Sequence, residues 1–391
     1  MTTLARPDRQ TAAELAPIIR AHAARAEAER AMAPEVMEAL RAAGIFQMWT
    51  PAALGGAEME PNAALEVMEE LARIDPATGW VVSNSVFITM LYQFLPESTY
   101  RELLGDRDAI VAGSFVPPGL AREVDGGYRV SGNWTFGSAS QRATSLVTLN
   151  LLADENGPIL GEDGSPTSVV AFLDPADVTF LDTWHTLGLR GTGSTNFTLE
   201  DHFVAEDHTF RLGPWENPPG PFSGPLYRIG LIIDATRIAQ VAVGIAQGAL
   251  DEFLELAGSK VPAYTASVTA DRATVQERVA RAQALIQAGR HTLAATMTEA
   301  YAAVQDGRRI TGAACIPAGL AATFALTASV EAVELLYESA GSTAFRDESP
   351  VQKRFRDIQT IRQNAITSWS RYESLGKMIL GRSSDWPFHQ L

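Results

Sequence analysis

The sequence holds a single cysteine, Cys315. One thiol cannot close an intramolecular disulfide, and no cysteine-rich zinc site can form around it. Histidine is scarce too, with six in 391 residues, and no HExxH motif, nucleophile elbow or metal-ligand cluster is present. Basic charge is in short supply. The 31 Lys and Arg stand against 46 Asp and Glu, a net charge of −15. A chain this acidic repels phosphate backbones and anionic lipid, which argues against nucleic-acid and membrane partners. The N-terminal MTTLARPDRQTAAELAPI lacks the apolar core of a secretory signal. The apolar run at 80–96, WVVSNSVFITMLYQFLP, carries Ser, Asn, Thr and Gln. It also stops short of the roughly 20 apolar residues of a membrane span, so it reads as a buried helix. A cytoplasmic protein is the expectation. Tandem repeats, low-complexity tracts and charge blocks are missing as well.

What remains is an ordinary globular composition, 46% apolar and 20% charged. Such a chain buries enough surface to offset its ordering entropy, and its length allows two or three domains. Residues 10–45 show helical spacing, with Leu15, Ile18, Ile19 and His22 on one face and Pro34 opening a helix over 35–43. A helix over 61–74 places Leu65, Met68, Leu71 and Ala72 together, and Asp75-Pro76 ends it. Short strand-like runs then appear at 128–130, 144–152, 168–172 and 196–199, between turn residues. Residues 211–226 are rich in Pro and Gly and suit a connector. The helical period returns in four segments, roughly 227–257, 270–306, 315–341 and 350–380. The class is α+β with segregated elements: helical at 1–108, β at 109–210, and a helical bundle at 211–391.

Four stretches are distinctive: LRAAGIFQMWTPAALGG (40–56), GGYRVSGNWTFGSAS (126–140), WHTLGLRGTGSTNF (184–197) and LLYESAGSTAFRDESPVQKRFRDIQTIRQNAITS (335–368). In this order they resemble the acyl-CoA dehydrogenase superfamily, and more closely its branch of two-component flavin-dependent monooxygenases. The resemblance runs from Leu40 to about Gly381. It implies an N-terminal helical domain, a middle β-barrel-like domain and a C-terminal four-helix bundle. It also implies a homotetramer, and reduced FAD or FMN delivered by a separate NAD(P)H-dependent flavin reductase. Oxygen would then pass from O2 through a C4a-hydroperoxyflavin to an aromatic, indolic or N- or S-bearing small molecule.

The resemblance assigns candidate residues. Phe136 corresponds to an aromatic packed near the flavin ring, and Ser138 to a hydroxyl that accepts a hydrogen bond from flavin N5–H. Read from the residues alone, GNWTFGSAS is a strand with a small-residue end. The Gly-rich loop at 188–194 is a turn on its own terms and lacks a GxGxxG fingerprint. The family places it beside the flavin, with Arg190, Thr192 and Ser194 as contacts and His185 just before it. SFVPPGLA (114–121) reads as a stiff loop lining flavin and substrate, through Phe115 and Pro118. Arg237 and Gln276 are further flavin candidates, with Lys260 a substitute cation for a missing arginine motif.

Two departures bear on chemistry. A dehydrogenase of this superfamily needs a carboxylate to remove the α-proton of a thioester. The two positions where the family carries it hold Ala365 and Thr236 here. The alternative of an FAD-dependent acyl-CoA dehydrogenase or oxidase is weakened accordingly; a helical binding protein without flavin affinity is the third reading. Many hydroxylases of the branch also carry two histidines, replaced here by Ile88 and Asn364. Asn364 cannot take a proton at neutral pH, but it can orient a substrate rich in electrons.

Overall fold

The computed structural model describes residues 6–104, 109–161, 164–212 and 220–386. The expected boundary after residue 108 and positions 213–219 of the expected connector lie outside the described residues. The chain opens with α1 (Arg9–Glu14), capped by Asp8, whose Oδ1 accepts the Thr11 N–H at 2.8 Å. α2 (Ala16–Glu29) and α3 (Pro34–Ala42) follow, the latter starting on its proline. The stripe of Leu65, Met68, Leu71 and Ala72 is buried on α4 (Pro61–Ile74). Asp75 ends that helix and caps α5 (Pro76–Thr89), its Oδ2 accepting the Thr78 N–H at 2.9 Å. α5 is buried nearly all round, with only Trp80 and Asn84 half-buried. The run continues through a 3-10 turn, Met90–Phe94, into α6 (Glu97–Leu104).

Eight strands form one sheet: β1 (Val111–Val124), β2 (Gly127–Gly137), β3 (Ser145–Asp154), β4 (Gly157–Pro158), β5 (Ser168–Leu173), β6 (Thr179–Leu181), β7 (Thr195–Ala205) and β8 (Thr209–Arg211). Their order is β6-β7-β2-β1-β3-β5-β8, with β4 on β3. Among the described residues only the β1–β3 pair is parallel. This sheet is the expected β-barrel-like middle domain, with an open strand order among the described residues. Its outer strands, β6 and β8, are three residues each, short edges of the kind that limit edge-to-edge pairing. Trp134, Phe197, Val130, Leu146 and Val169 fill its core.

SFVPPGLA is not a loop before the hairpin. It lies within β1, which pairs with β3 at Val111–Ser114 and again at Gly119–Ala121. Phe115 to Pro118 bulge between, because two prolines without N–H groups cannot hold the ladder there.

The C-terminal helices are α7 (Ile232–Ser259), α8 (Ala273–Gln305), α9 (Ile316–Ala340), α10 (Pro350–Ile361) and α11 (Arg371–Ile379). The segment 312–343 is long and apolar enough to cross a membrane by length and composition alone. In the fold α9 packs on α7 and α8 and buries Ala322, Ala325, Leu326, Val333 and Leu336. The fourth expected helix, 350–380, is two helices. Asn364 Oδ1 takes the Ile366 N–H at 2.9 Å, a side-chain bond that replaces a helical one and breaks the run.

Candidate active site

The site is built where β2 ends. Phe136 has φ = 64°, a left-handed backbone that a bulky L residue adopts only under constraint. The residue is 61% exposed, and its ring stands edge-on to Trp184, with centroids 6.3 Å apart. A strained backbone that holds an aromatic ring in the open is a mark of function. Two residues on, the half-buried Ser138 Oγ accepts from the Trp80 indole N–H of α5 at 3.0 Å. It also lies 2.7 Å from Ser194 Oγ, which lies 2.6 Å from Thr192 Oγ1. An N-terminal helix, a strand and the 184–194 loop thus meet at one hydroxyl.

The loop is held from the other side by the bundle. A Cβ on Gly188 would come within 2.3 Å of the Arg356 carbonyl oxygen, so only glycine lets the loop lie this close to α10. The next N–H, of Leu189, donates to Asp357 Oδ1 at 2.6 Å. The Leu189 carbonyl accepts from Trp184 Nε1 at 3.1 Å and from Thr192 Oγ1 at 2.8 Å. Asp357 Oδ2 accepts from Lys353 Nζ at 2.8 Å, and Lys353 also reaches Asp75 Oδ1 at 3.2 Å. Asp75 caps the helix that carries Trp80, so the path closes on itself through all three parts of the chain. Burial opposes the charge on Lys353, but Asp357 and Asp75 outweigh it and hold the ammonium above its ordinary range. Burial likewise pushes Asp75 up, yet Lys353 and the Thr78 N–H bring its carboxyl below the usual value.

The other candidates disperse. Arg190 and His185 do not join Ser138; with Arg20, Arg30, Lys353 and Arg356 they line a solvent-open cleft of about 1070 Å³. His185 is exposed, its Nε2 3.5 Å from Asp182 Oδ1. Arg237 is buried in an ion pair with Asp234, 4.8 Å above the Phe87 ring, with Nη1 3.3 Å from Ser83 Oγ. Its Nε has no hydrogen-bond partner among the described residues. Gln276 is exposed near the start of α8 and donates to the Ala270 carbonyl at 3.0 Å. Phe115 packs on the N-terminal core, and Lys260 is occupied by the Ala340 carbonyl. The half-buried Asn364 uses its oxygen in the turn, which leaves its NH2 as the group it can offer a ligand. Ile88 is buried in the apolar core. Thr236 is buried with its hydroxyl donating to the Ile232 carbonyl at 2.9 Å, and Ala365 is exposed.

Three of the residues that build the site escaped the sequence reading. Trp80 passed for core, although a buried indole N–H must find an acceptor. Lys353 and Asp357 were legible only as a helical i,i+4 pair of opposite charge. An exposed aromatic ring, a hydroxyl with spare acceptor capacity and a cation-lined cleft fit a flavin, which is flat, carries an N–H when reduced and ends in phosphate.

Comparison with known proteins agrees. Residues 8–106 match the acyl-CoA dehydrogenase N-terminal domain family, and residues 236–369 match the acyl-CoA dehydrogenase C-terminal domain family. The chain is 30% identical over 356 residues to indole-3-acetate monooxygenase of Pseudomonas putida, covering 90% of this chain and 88% of that one. It is 28% identical over 384 residues to the oxygenase component of the FADH2-dependent resorcinol hydroxylase of Rhizobium sp. (strain MTP-10005), covering 94% and 91%. The crystal structure of 3-HSA hydroxylase from Rhodococcus sp. RHA1 superposes with a TM-score of 0.88 at 26% identity, over 97% of this chain and 98% of that one.

Proposed function

This chain belongs to the acyl-CoA dehydrogenase superfamily, in its branch of two-component flavin-dependent monooxygenases, and we propose that its Ser138 face oxygenates an aromatic, indolic or N- or S-bearing small molecule. It is the oxygenase subunit, working with reduced FAD or FMN that a separate flavin reductase supplies. Bound reduced flavin supplies two electrons to O2, so that one oxygen atom enters the substrate and the other leaves as water.

The observation that carries the reading is the Ser138 hydroxyl, held by Trp80 and Ser194 beside the exposed ring of Phe136. Phe136 would pack against the flavin ring when it is bound. Ser138 accepts the N–H of the reduced ring and holds that proton in place. Thr192 and Ser194 hold Ser138. Arg190 and the cations beside it outnumber Glu27 and Asp347 in the cleft and offer a positive surface for phosphate. The free NH2 of Asn364 donates to a substrate oxygen or π face and sets its orientation. Thr236 and Ala365 supply no base for α-proton removal, which disfavours thioester dehydrogenation.

The test supplies photoreduced FAD or FMN to the anaerobic protein and then admits oxygen with phenols, indoles, amines and sulfides in turn. Oxygenated product from one class supports the reading. Stoichiometric peroxide with every class, and no product, refutes it. We also propose a homotetramer in the cytoplasm. Exposed Leu254, Phe324 and Ile379 on α7, α9 and α11 support self-association, and a monomer in sedimentation velocity at micromolar concentration would rule it out.

A further inference from the structure

The hydroxyl chain at the site has a direction. Thr192 Oγ1 lies 2.8 Å from the Leu189 carbonyl oxygen. A carbonyl carries no hydrogen, so at this distance Thr192 is the donor. Its one proton is then occupied, and the 2.6 Å contact to Ser194 must be filled by the proton of Ser194. Ser194 in turn has nothing left to give, so the proton of Ser138 fills the 2.7 Å contact between them. At the other end the Trp80 indole can only donate, and it does so to Ser138 at 3.0 Å. Every bond points the same way: Trp80 to Ser138 to Ser194 to Thr192 to Leu189. Thr192 and Ser194 are 0% and 2% exposed, so water does not compete for their protons. Reversal would set hydroxyl and carbonyl lone pairs face to face in a buried site, where an unmade hydrogen bond is expensive.

Ser138 therefore has one lone pair taken, its proton taken, and one lone pair left. We infer that Ser194 and Thr192 are positioning residues that make Ser138 an acceptor only, and that the site thereby selects reduced flavin over oxidised flavin. Reduced flavin presents an N–H at N5, which the remaining lone pair accepts. Oxidised flavin presents a bare nitrogen lone pair there, which Ser138 cannot satisfy without breaking the chain. An oxygenase that takes reduced flavin from solution and must release it oxidised gains its direction of exchange from this one polarity. The inference rests on the proposed placement of Ser138 at flavin N5.

The experiment measures dissociation constants for FAD and FMN in both redox states, anaerobically for the reduced forms, together with the two-electron potential of the bound flavin. The wild-type protein is expected to bind reduced flavin at least tenfold more tightly. Thr192→Val keeps the shape and removes the hydroxyl, so Ser194 turns its proton to Ser138 and Ser138 is freed to donate. The preference should drop about tenfold, with the bound potential falling by about 30 mV for a two-electron couple. Thr192→Ser keeps the hydroxyl and should keep both the preference and the potential. Ser194→Ala frees the Ser138 proton by another route and should behave as Thr192→Val does. Trp80→Phe removes a donor without reversing any bond, so the preference should survive it. Equal affinity of the wild-type protein for both redox states overturns this inference and leaves the oxygenase reading standing. So does an unchanged preference in both Thr192→Val and Ser194→Ala. No binding of either form overturns both.

Discussion

Lys353→Met tests the join between the bundle and the flavin face. Lys353 is the single cation that bonds both Asp75 and Asp357 among the described residues, and Glu27 lies 3.8 Å away. Methionine keeps most of the volume and removes the charge. Asp75 and Asp357, 6% and 1% exposed, are then left as buried carboxylates. Stranding one side of a buried ion pair costs about 3–5 kcal/mol. Arg354 also senses both carboxylates, so the lower end of that range is expected. Against a total of about 5–15 kcal/mol this is a large fraction. Equilibrium urea unfolding of the full chain, followed by both circular dichroism and tryptophan fluorescence, reads it. Adding Asp357→Asn removes one stranded charge, so the double variant should be less destabilised than the sum of the two singles. The pH dependence has a definite sign. The folded-state pKa of Asp75 lies below its unfolded value of about 3.9, so its contribution is present above that value and fades as pH falls through the folded pKa. The folded-state pKa of Lys353 lies above its unfolded value of about 10.4, so its contribution is complete below that value and fades as pH rises through the folded pKa. The gap between wild type and variant should be flat from roughly pH 7 to pH 10 and narrow in acid, where protonation also relieves the stranded carboxyls. A loss under about 1 kcal/mol, or strictly additive losses, would refute the closed path.

Three further outcomes follow from single side chains. Phe136→Gly relieves the left-handed strain at φ = 64° and should stabilise the fold by roughly 1 kcal/mol while weakening reduced-flavin binding; melting and flavin titration must move in opposite directions, and joint loss of both rejects the assignment. Asn364→Asp retains the acceptor for Ile366 N–H but replaces the NH2 donor, so stability should hold within about 0.5 kcal/mol while kcat/KM for the substrate falls about tenfold or more. Unchanged turnover removes Asn364 from the substrate contacts. Cys315 is buried, and burial pushes its thiol up to about 11. The native protein at pH 7.5 should therefore ignore a disulfide reagent for minutes and yield one equivalent in denaturant, and a rapid native reaction contradicts the packing.

Much of this architecture was legible because local signals and tertiary demands agree. α4 starts on its proline, ends at Asp75 and buries the stripe that its spacing marks. The Ser138 stretch and the Gly-rich loop stand out in the sequence only through the family resemblance, and the fold brings them into contact. The misreadings share a cause: a bond partner that hydrophobic spacing does not reveal. SFVPPGLA has two prolines and reads as a loop, yet β3 recruits the residues on either side of them into a strand. The segment 350–380 has an uninterrupted helical period, yet the Asn364 side chain takes a backbone N–H and ends the helix. Arg190 and Ser194 sit four residues apart in one loop and look like one contact set. The fold sends one to a cationic cleft and the other to a buried hydroxyl.

The hydroxyl chain shows why sequence pattern stops short of mechanism. Its members lie on α5, the turn after β2 and the loop before β7, and no spacing rule joins Trp80 to Ser138 or Ser138 to Ser194. Each hydroxyl alone is ambiguous, since it donates or accepts with equal ease. The ambiguity ends at Leu189, whose carbonyl cannot donate, and whose N–H is tied through Asp357 to the same Lys353 that holds the cap of the Trp80 helix. Structural anchoring and chemical polarity thus share one backbone unit. A substitution in the Lys353 network that lets Leu189 shift should therefore erode the redox preference as well as stability, although none of those residues reaches Ser138 itself.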